Sequence, residues 1–196
     1  MKIFTDHRWT IGAGVILTLV LVAIGIKTTI AGGGAYDGLD PFGLARYGHI
    51  LAGVTWIGLL YYFNFVQVPS LGGVTPETKA DIFKDGSIVR RALWWFRWGA
   101  MLTLIFGLML YDNIGGHGGD ASWDIRIGAL FGIIMWFNVW FIIWPNQKKV
   151  IGIVEATADE KAAAGKKALI ASRLNTLLSI PMLFFMASSA HFPVFN

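Results

Sequence analysis

Arg46-Tyr47-Gly48-His49-Ile50-Leu51-Ala52-Gly53-Val54-Thr55-Trp56-Ile57-Gly58 lies near the start of an apolar run from Leu44 to Val68. A run of that length spans the roughly 30 Å hydrocarbon core of a bilayer at about 1.5 Å per residue. His49 is then an ionisable group about one turn inside a membrane-spanning helix, a costly placement that needs a partner. Four further apolar runs can be drawn, at 9–30, 93–111, 125–144 and 168–190. The first is too long for the apolar core of a signal peptide, and Gly32-Gly33-Gly34 after it lacks an Ala-x-Ala cleavage pattern, so it reads as a permanent helix. The expected architecture is all-α: one integral membrane domain over residues 1–196, a bundle of about five transmembrane helices.

Composition agrees. The 196 residues are 55% hydrophobic and only 14% charged, with a mean hydropathy of +0.59, far from the balance of an ordinary soluble domain. The net charge of +4 does not point to nucleic acid, because no basic block is longer than a pair. The basic residues instead flank the apolar runs and set topology. Segment 69–92 carries Lys79, Lys84, Arg90 and Arg91, and segment 145–167 carries Lys148, Lys149, Lys161, Lys166 and Lys167, whereas 32–43 and 112–124 carry neither Lys nor Arg. The positive-inside rule therefore places the N-terminus in the cytoplasm and the C-terminus outside, on the periplasmic side. His49, His117 and His191 fall at the outer side, and His7 is alone at the inner one. The absence of cysteine excludes disulfides, thiolate metal sites and covalent c-type haem attachment, so redox chemistry must come from a bound cofactor.

Between the spans, Thr75-Pro76-Glu77-Thr78 is a helix-start signal and predicts a short interfacial helix near 76–85. Residues Asp159 to Ala164 read as an inward extension of the last span, and Gly115-Gly116-His117-Gly118-Gly119 as a flexible outer loop. Asp112, Asp120 and Asp124 read as solvated charges of that loop.

Arg46, His49, Gly53, Trp56, Leu60, Asn64 and Gln67 recur at spacings of three and four, which lays them along one helix face. Gly53, one turn below His49, has no side chain, so a flat macrocycle ligated by His49 has backbone to rest on. Arg46, one turn above, is placed to meet a haem propionate, and Trp56 to pack beside the ring. The alternative is a His49 that hydrogen-bonds a neighbouring helix while Gly53 permits close packing. His191 near the end of the last span is the second candidate ligand, since two histidines at similar depth suit six-coordinate haem b; its alternative is an interfacial histidine in water. Pro181 is expected to kink that helix. His117 is a further candidate, for a three-histidine copper or zinc site. Arg97, Arg173, Asn64, Gln67, Asn138 and Asn175 form an inner polar set, for which interhelical hydrogen bonding is the commoner use and a quinone head group or an anion the alternative ligand.

Four stretches carry a resemblance to a known family: His49 to Gly58, Trp-Trp-Phe-Arg-Trp-Gly at 94–99, Asn-Val-Trp-Phe-Ile-Ile-Trp-Pro-Asn-Gln-Lys-Lys at 138–149, and Ser-Arg-Leu-Asn-Thr-Leu-Leu-Ser-Ile-Pro-Met-Leu-Phe-Phe-Met at 172–186. In that order they resemble the membrane domain of the PuuD-type urate oxidase (urate hydroxylase) family. The resemblance implies an oxidoreductase in the bacterial inner (cytoplasmic) membrane. Full-length members carry a cytochrome c domain after the last span; this chain has no Cys-x-x-Cys-His, so a separate cytochrome c-type acceptor is expected. His49 followed by Trp56, Gly58 and an aromatic pair is also similar to the small membrane protoporphyrinogen oxidase that uses haem b.

The leading expectation is a membrane-embedded redox protein with non-covalent haem b, its iron held by His49 and His191, with Arg46, Gly53 and Trp56 around the ring and electrons leaving toward a periplasmic cytochrome c. The alternative is a non-catalytic accessory subunit of a larger respiratory or photosynthetic membrane complex. A small transporter around Arg97 and Arg173 is the third reading, and five spans without repeated halves or broken helices speak against it. Expected partners are the lipid bilayer and a cytochrome c or larger membrane complex; a homo-oligomer is compatible with all three readings.

Overall fold

The computed structural model describes residues 2–36, 38–116 and 121–195, which contain helix and no strand. All five expected spans are present as helices long and apolar enough to cross a membrane: His7–Ala31, Pro41–Ser70, Ile88–Ile114, Trp123–Val150 and Ala158–His191. Each runs beyond its apolar core, because backbone hydrogen bonding continues into the flanking polar residues where a cap can close it.

The chain divides into two compact units, 1–40 and 41–196. The first holds α1 (Lys2–Thr5) and α2 (His7–Ala31). Asp6 caps α2, its carboxylate accepting from Arg8 N at 2.9 Å, and Gly33 ends it with φ of 81°.

The second unit begins with α3 (Pro41–Tyr61), which passes through a π-helical turn at Tyr62–Gln67 into α4 (Val68–Ser70). The cap Thr75 accepts from Thr78 N and starts α5 (Pro76–Phe83), the expected interfacial helix. Then come α6 (Ile88–Gly116), α7 (Trp123–Phe137), a second π-helical turn at Asn138–Ile143, α8 (Trp144–Val150) and α9 (Ala158–His191). A capping box between Thr157 and Glu160 opens α9, which continues through Pro181.

Both π-turns stand just before a proline, Pro69 and Pro145. Proline offers no N–H and its ring crowds the carbonyl four residues back; a widened turn relieves that crowding. Val68 N bonds to Phe63 O and Trp144 N to Val139 O, the five-residue spacing that defines such a turn.

Helix α3 packs chiefly against α6, while α7, the second π-turn and α8 pack against α9. Trp56, Leu60, Phe63, Phe96, Ala100, Met135, Val139 and Ile143 form the shared core, with the Phe63 and Phe96 rings edge to face at 5.3 Å. Small residues set the α3–α6 spacing. A Cβ added at Gly99 would lie 3.2 Å from Trp56 N, and one at Gly48 would lie 2.8 Å from the Phe106 ring.

Candidate functional site around His49

His49 is half-buried on the face of α3 that meets α6. Its Nδ1 lies 2.9 Å from the carbonyl oxygen of Thr103 on α6. A carbonyl only accepts, so Nδ1 carries the proton and donates, and the neutral ring presents its lone pair at Nε2. That is the tautomer a metal-ligating histidine needs, held by the kind of backbone carbonyl that commonly orients such ligands. The bond is also the alternative use expected for His49, a link to a neighbouring helix; it takes one ring nitrogen and leaves the other uncommitted.

Gly107 makes the approach possible, since a Cβ there would stand 3.0 Å from His49 Cε1 and 3.2 Å from Nδ1. Thr103 is itself fixed, its hydroxyl donating to Gly99 O at 2.7 Å. At Gly53 an added Cβ would stand 3.9 Å from Thr103 Cγ2, an ordinary van der Waals contact, so α6 lies against this part of α3. Trp56, two turns below His49, is 2% exposed, and its indole N–H is buried without an acceptor. Arg46 is exposed one turn above. Four of the five expected site residues therefore lie on one stretch of α3, and His49 Nε2 takes part in no hydrogen bond among the described residues.

The fifth residue stands elsewhere. His191 is the exposed last residue of α9, and among the described residues its ring takes part in no hydrogen bond or ion pair. No described contact joins it to His49. His117 and Asp120 lie outside the described residues.

Asp124 overturns its sequence reading. Expected as a solvated charge, it is fully buried, with its carboxylate accepting from Ser188 Oγ at 2.9 Å and from Val194 N and Phe195 N at 3.0 Å each. The reason is its place in the first turn of α7 beside the end of α9, where the tail turns back and offers two free backbone N–H groups. The Phe195 ring stacks on Phe185 at 6.0 Å and completes the clasp.

The three asparagines of the inner polar set hydrogen-bond between helices as expected, while Gln67 Oε1 is buried with no hydrogen-bond partner among the described residues. Asn138 Nδ2 donates to Asn175 Oδ1 at 2.8 Å, Asn175 Nδ2 to Met135 O at 2.9 Å, and Asn64 Nδ2 to Ser172 Oγ at 2.8 Å. Arg97 lays its guanidinium 3.3 Å from the centre of the Trp144 ring, while Arg173 is exposed. Thr103 and Gly107 escaped the sequence reading: a carbonyl acceptor leaves no residue-type signal, and only the glycine inside an apolar helix marked a close approach.

Residues 117–196 match the family model described as Urate oxidase N-terminal. The matched segment takes in α7, the second π-turn, α8 and α9, with His191 and the Asp124 clasp. His49 and its neighbours on α3 precede it. No curated protein and no solved structure matches the chain.

Proposed function

We propose that this chain is a urate-oxidase-like membrane oxidoreductase that binds haem b non-covalently through His49, with electrons leaving toward a c-type cytochrome at the outer face of the bacterial inner membrane. The observation that carries the reading is the Nδ1–H bond of His49 to Thr103 O, which aims an uncommitted Nε2 from a half-buried ring. The family match over residues 117–196 supports the urate-oxidase-like part. Bound haem would supply a one-electron couple, and with a single histidine ligand an open coordination position as well.

The chain's own residues orient the ligand and admit the ring. Thr103 fixes the tautomer, Gly107 admits the imidazole, and Arg46 offers a cation one turn nearer the helix end for a propionate, while Gly53 is the candidate seat for the ring edge one turn below. The charge distribution of the connecting segments supports an outer location for that end. His191 is the candidate for a second ligand.

The test is the ultraviolet-visible spectrum of the detergent-purified protein, oxidised and dithionite-reduced, beside His49→Ala and His191→Ala. A b-type Soret band lost in His49→Ala is expected. A band altered in His191→Ala as well assigns two histidine ligands, and one unchanged there assigns His49 alone. No Soret band in the wild type, expressed with haem supplied, refutes the redox reading and leaves an accessory subunit in its place.

A further inference from the structure

At the opposite end of the second unit from His49, a cavity of about 430 Å³ opens between α5, the end of α8 and the first turns of α9. Lys79, Lys161 and Lys166 line it, together with the apolar side chains of Phe83 and Val150 and with Ala80 and Ala162. No acidic side chain lines it.

Two nearby cations are paired with carboxylates, and these three are not. Lys84 pairs with Asp81 at 3.1 Å and Arg90 with Asp85 at 3.2 Å. The Glu160 carboxylate accepts from Thr157 N at 2.8 Å in the capping box of α9. Among the described residues Lys79, Lys161 and Lys166 form no ion pair, although Lys79 Nζ stands 6.0 Å from the centre of the Phe83 ring. Three lysines without ion pairs, from two helices, line a cavity with an apolar floor. A soluble anion has no use for that floor, whereas a phosphate carrying acyl chains satisfies both surfaces at once.

The geometry points to a binding site for an anionic phospholipid, with its phosphate between Lys79, Lys161 and Lys166 and its first acyl carbons on Phe83 and Val150. The location agrees, because the cavity lies where the spans end and head groups sit. Basic pockets between helices at the cytoplasmic side commonly hold such lipids. At about a fivefold gain in affinity per lysine near the head group, the three together are worth about a hundredfold. The inference is independent of haem binding.

The test uses the full chain, delipidated in a neutral detergent, with thermal unfolding followed during titration by phosphatidylglycerol, by phosphatidylcholine of the same acyl chains, and by inorganic phosphate. Phosphatidylglycerol is expected to raise the melting temperature, less so at high salt, and phosphatidylcholine is not. The triple variant Lys79→Gln, Lys161→Gln, Lys166→Gln is expected to need about a hundredfold more phosphatidylglycerol, while Lys148→Gln with Lys149→Gln, outside the cavity, responds as the wild type. Gly165→Leu is a second variant that keeps every charge. A Cβ there meets only Val150 Cγ2, at an ordinary 3.7 Å, so a side chain can start there, and leucine narrows the cavity over its apolar floor. It too is expected to lose the response. Equal stabilisation by phosphatidylcholine, an unchanged response in Gly165→Leu, or full stabilisation by millimolar inorganic phosphate would overturn the assignment, the last by making the ligand a free anion.

Discussion

Asn175 on α9 is fully buried and holds two hydrogen bonds at once, accepting from Asn138 Nδ2 at 2.8 Å and donating to Met135 O at 2.9 Å. Truncating it to alanine removes both and strands the Asn138 amide, which is 5% exposed and has no water to turn to. Interhelical hydrogen bonds inside bilayers average about 0.6 kcal/mol and reach about 1.7, so Asn175→Ala is expected to cost about 1–3 kcal/mol. Asn138→Ala removes one of the two bonds and is expected to cost about half as much. In the double variant neither amide is left facing an absent mate. Its cost should therefore fall short of the sum of the singles by about 0.6–1.7 kcal/mol, the direct pair's coupling. The cavity left by each truncation enters the singles and the double alike and drops out of the difference. Reversible unfolding in mixed micelles by increasing dodecyl sulfate measures all four proteins. Additive singles, within about 0.3 kcal/mol, would show that the two amides do not bond and that the packing of α7 on α9 is carried by shape alone.

Gly107→Ala brings a methyl group to 3.0 Å from the His49 ring, so the ring must move by a few tenths of an ångström and strain its bond to Thr103 O. Weakening that bond costs at most about 0.5–1.5 kcal/mol and the gain in helix propensity returns about 1, so thermal stability should hardly change while the haem spectrum shifts. An unaltered spectrum in that variant would mean that the ring orientation does not matter. Asp124→Ala removes the acceptor of two tail amides and of Ser188, and residues 192–195 are expected to be trimmed by carboxypeptidase at least about tenfold faster than in the wild type. Equal trimming would show that the Phe195–Phe185 stack holds the tail by itself.

The spans were legible because a run of about 20 apolar residues has few other uses, and the start of α5 because Thr75 is followed by the residues that a cap requires, whereas the Thr157 cap of α9 went unread and only the inward extension from Asp159 to Ala164 was drawn. The face of α3 that carries the candidate residues was legible in part. His49, Gly53 and Trp56 lie within two turns of straight α-helix, where a spacing of 3.6 holds. Beyond Tyr61 the π-turn changes the count, and the face drawn from Arg46 to Gln67 no longer runs straight. Nothing in Phe63-Asn64-Phe65 announces that turn except the proline that follows. Asp124 was misread because a carboxylate near a glycine-rich loop resembles a solvated one until the returning tail, some 70 residues later, supplies its donors. Ligation by His191 depends on a meeting of helices, and no spacing along one chain encodes that.

The two π-turns make the spans they interrupt sensitive to an unusual kind of change. Each is one surplus residue absorbed in an otherwise regular helix, and the Asn64 and Asn138 amides owe their aim toward α9 to that surplus. Deleting a single residue from either turn would restore ordinary winding and swing everything beyond it by about 100° around the axis. Lipid-facing side chains would then turn inward, and buried amides would face hydrocarbon. A substitution in these turns alters one contact, whereas a one-residue deletion re-addresses a whole half-helix.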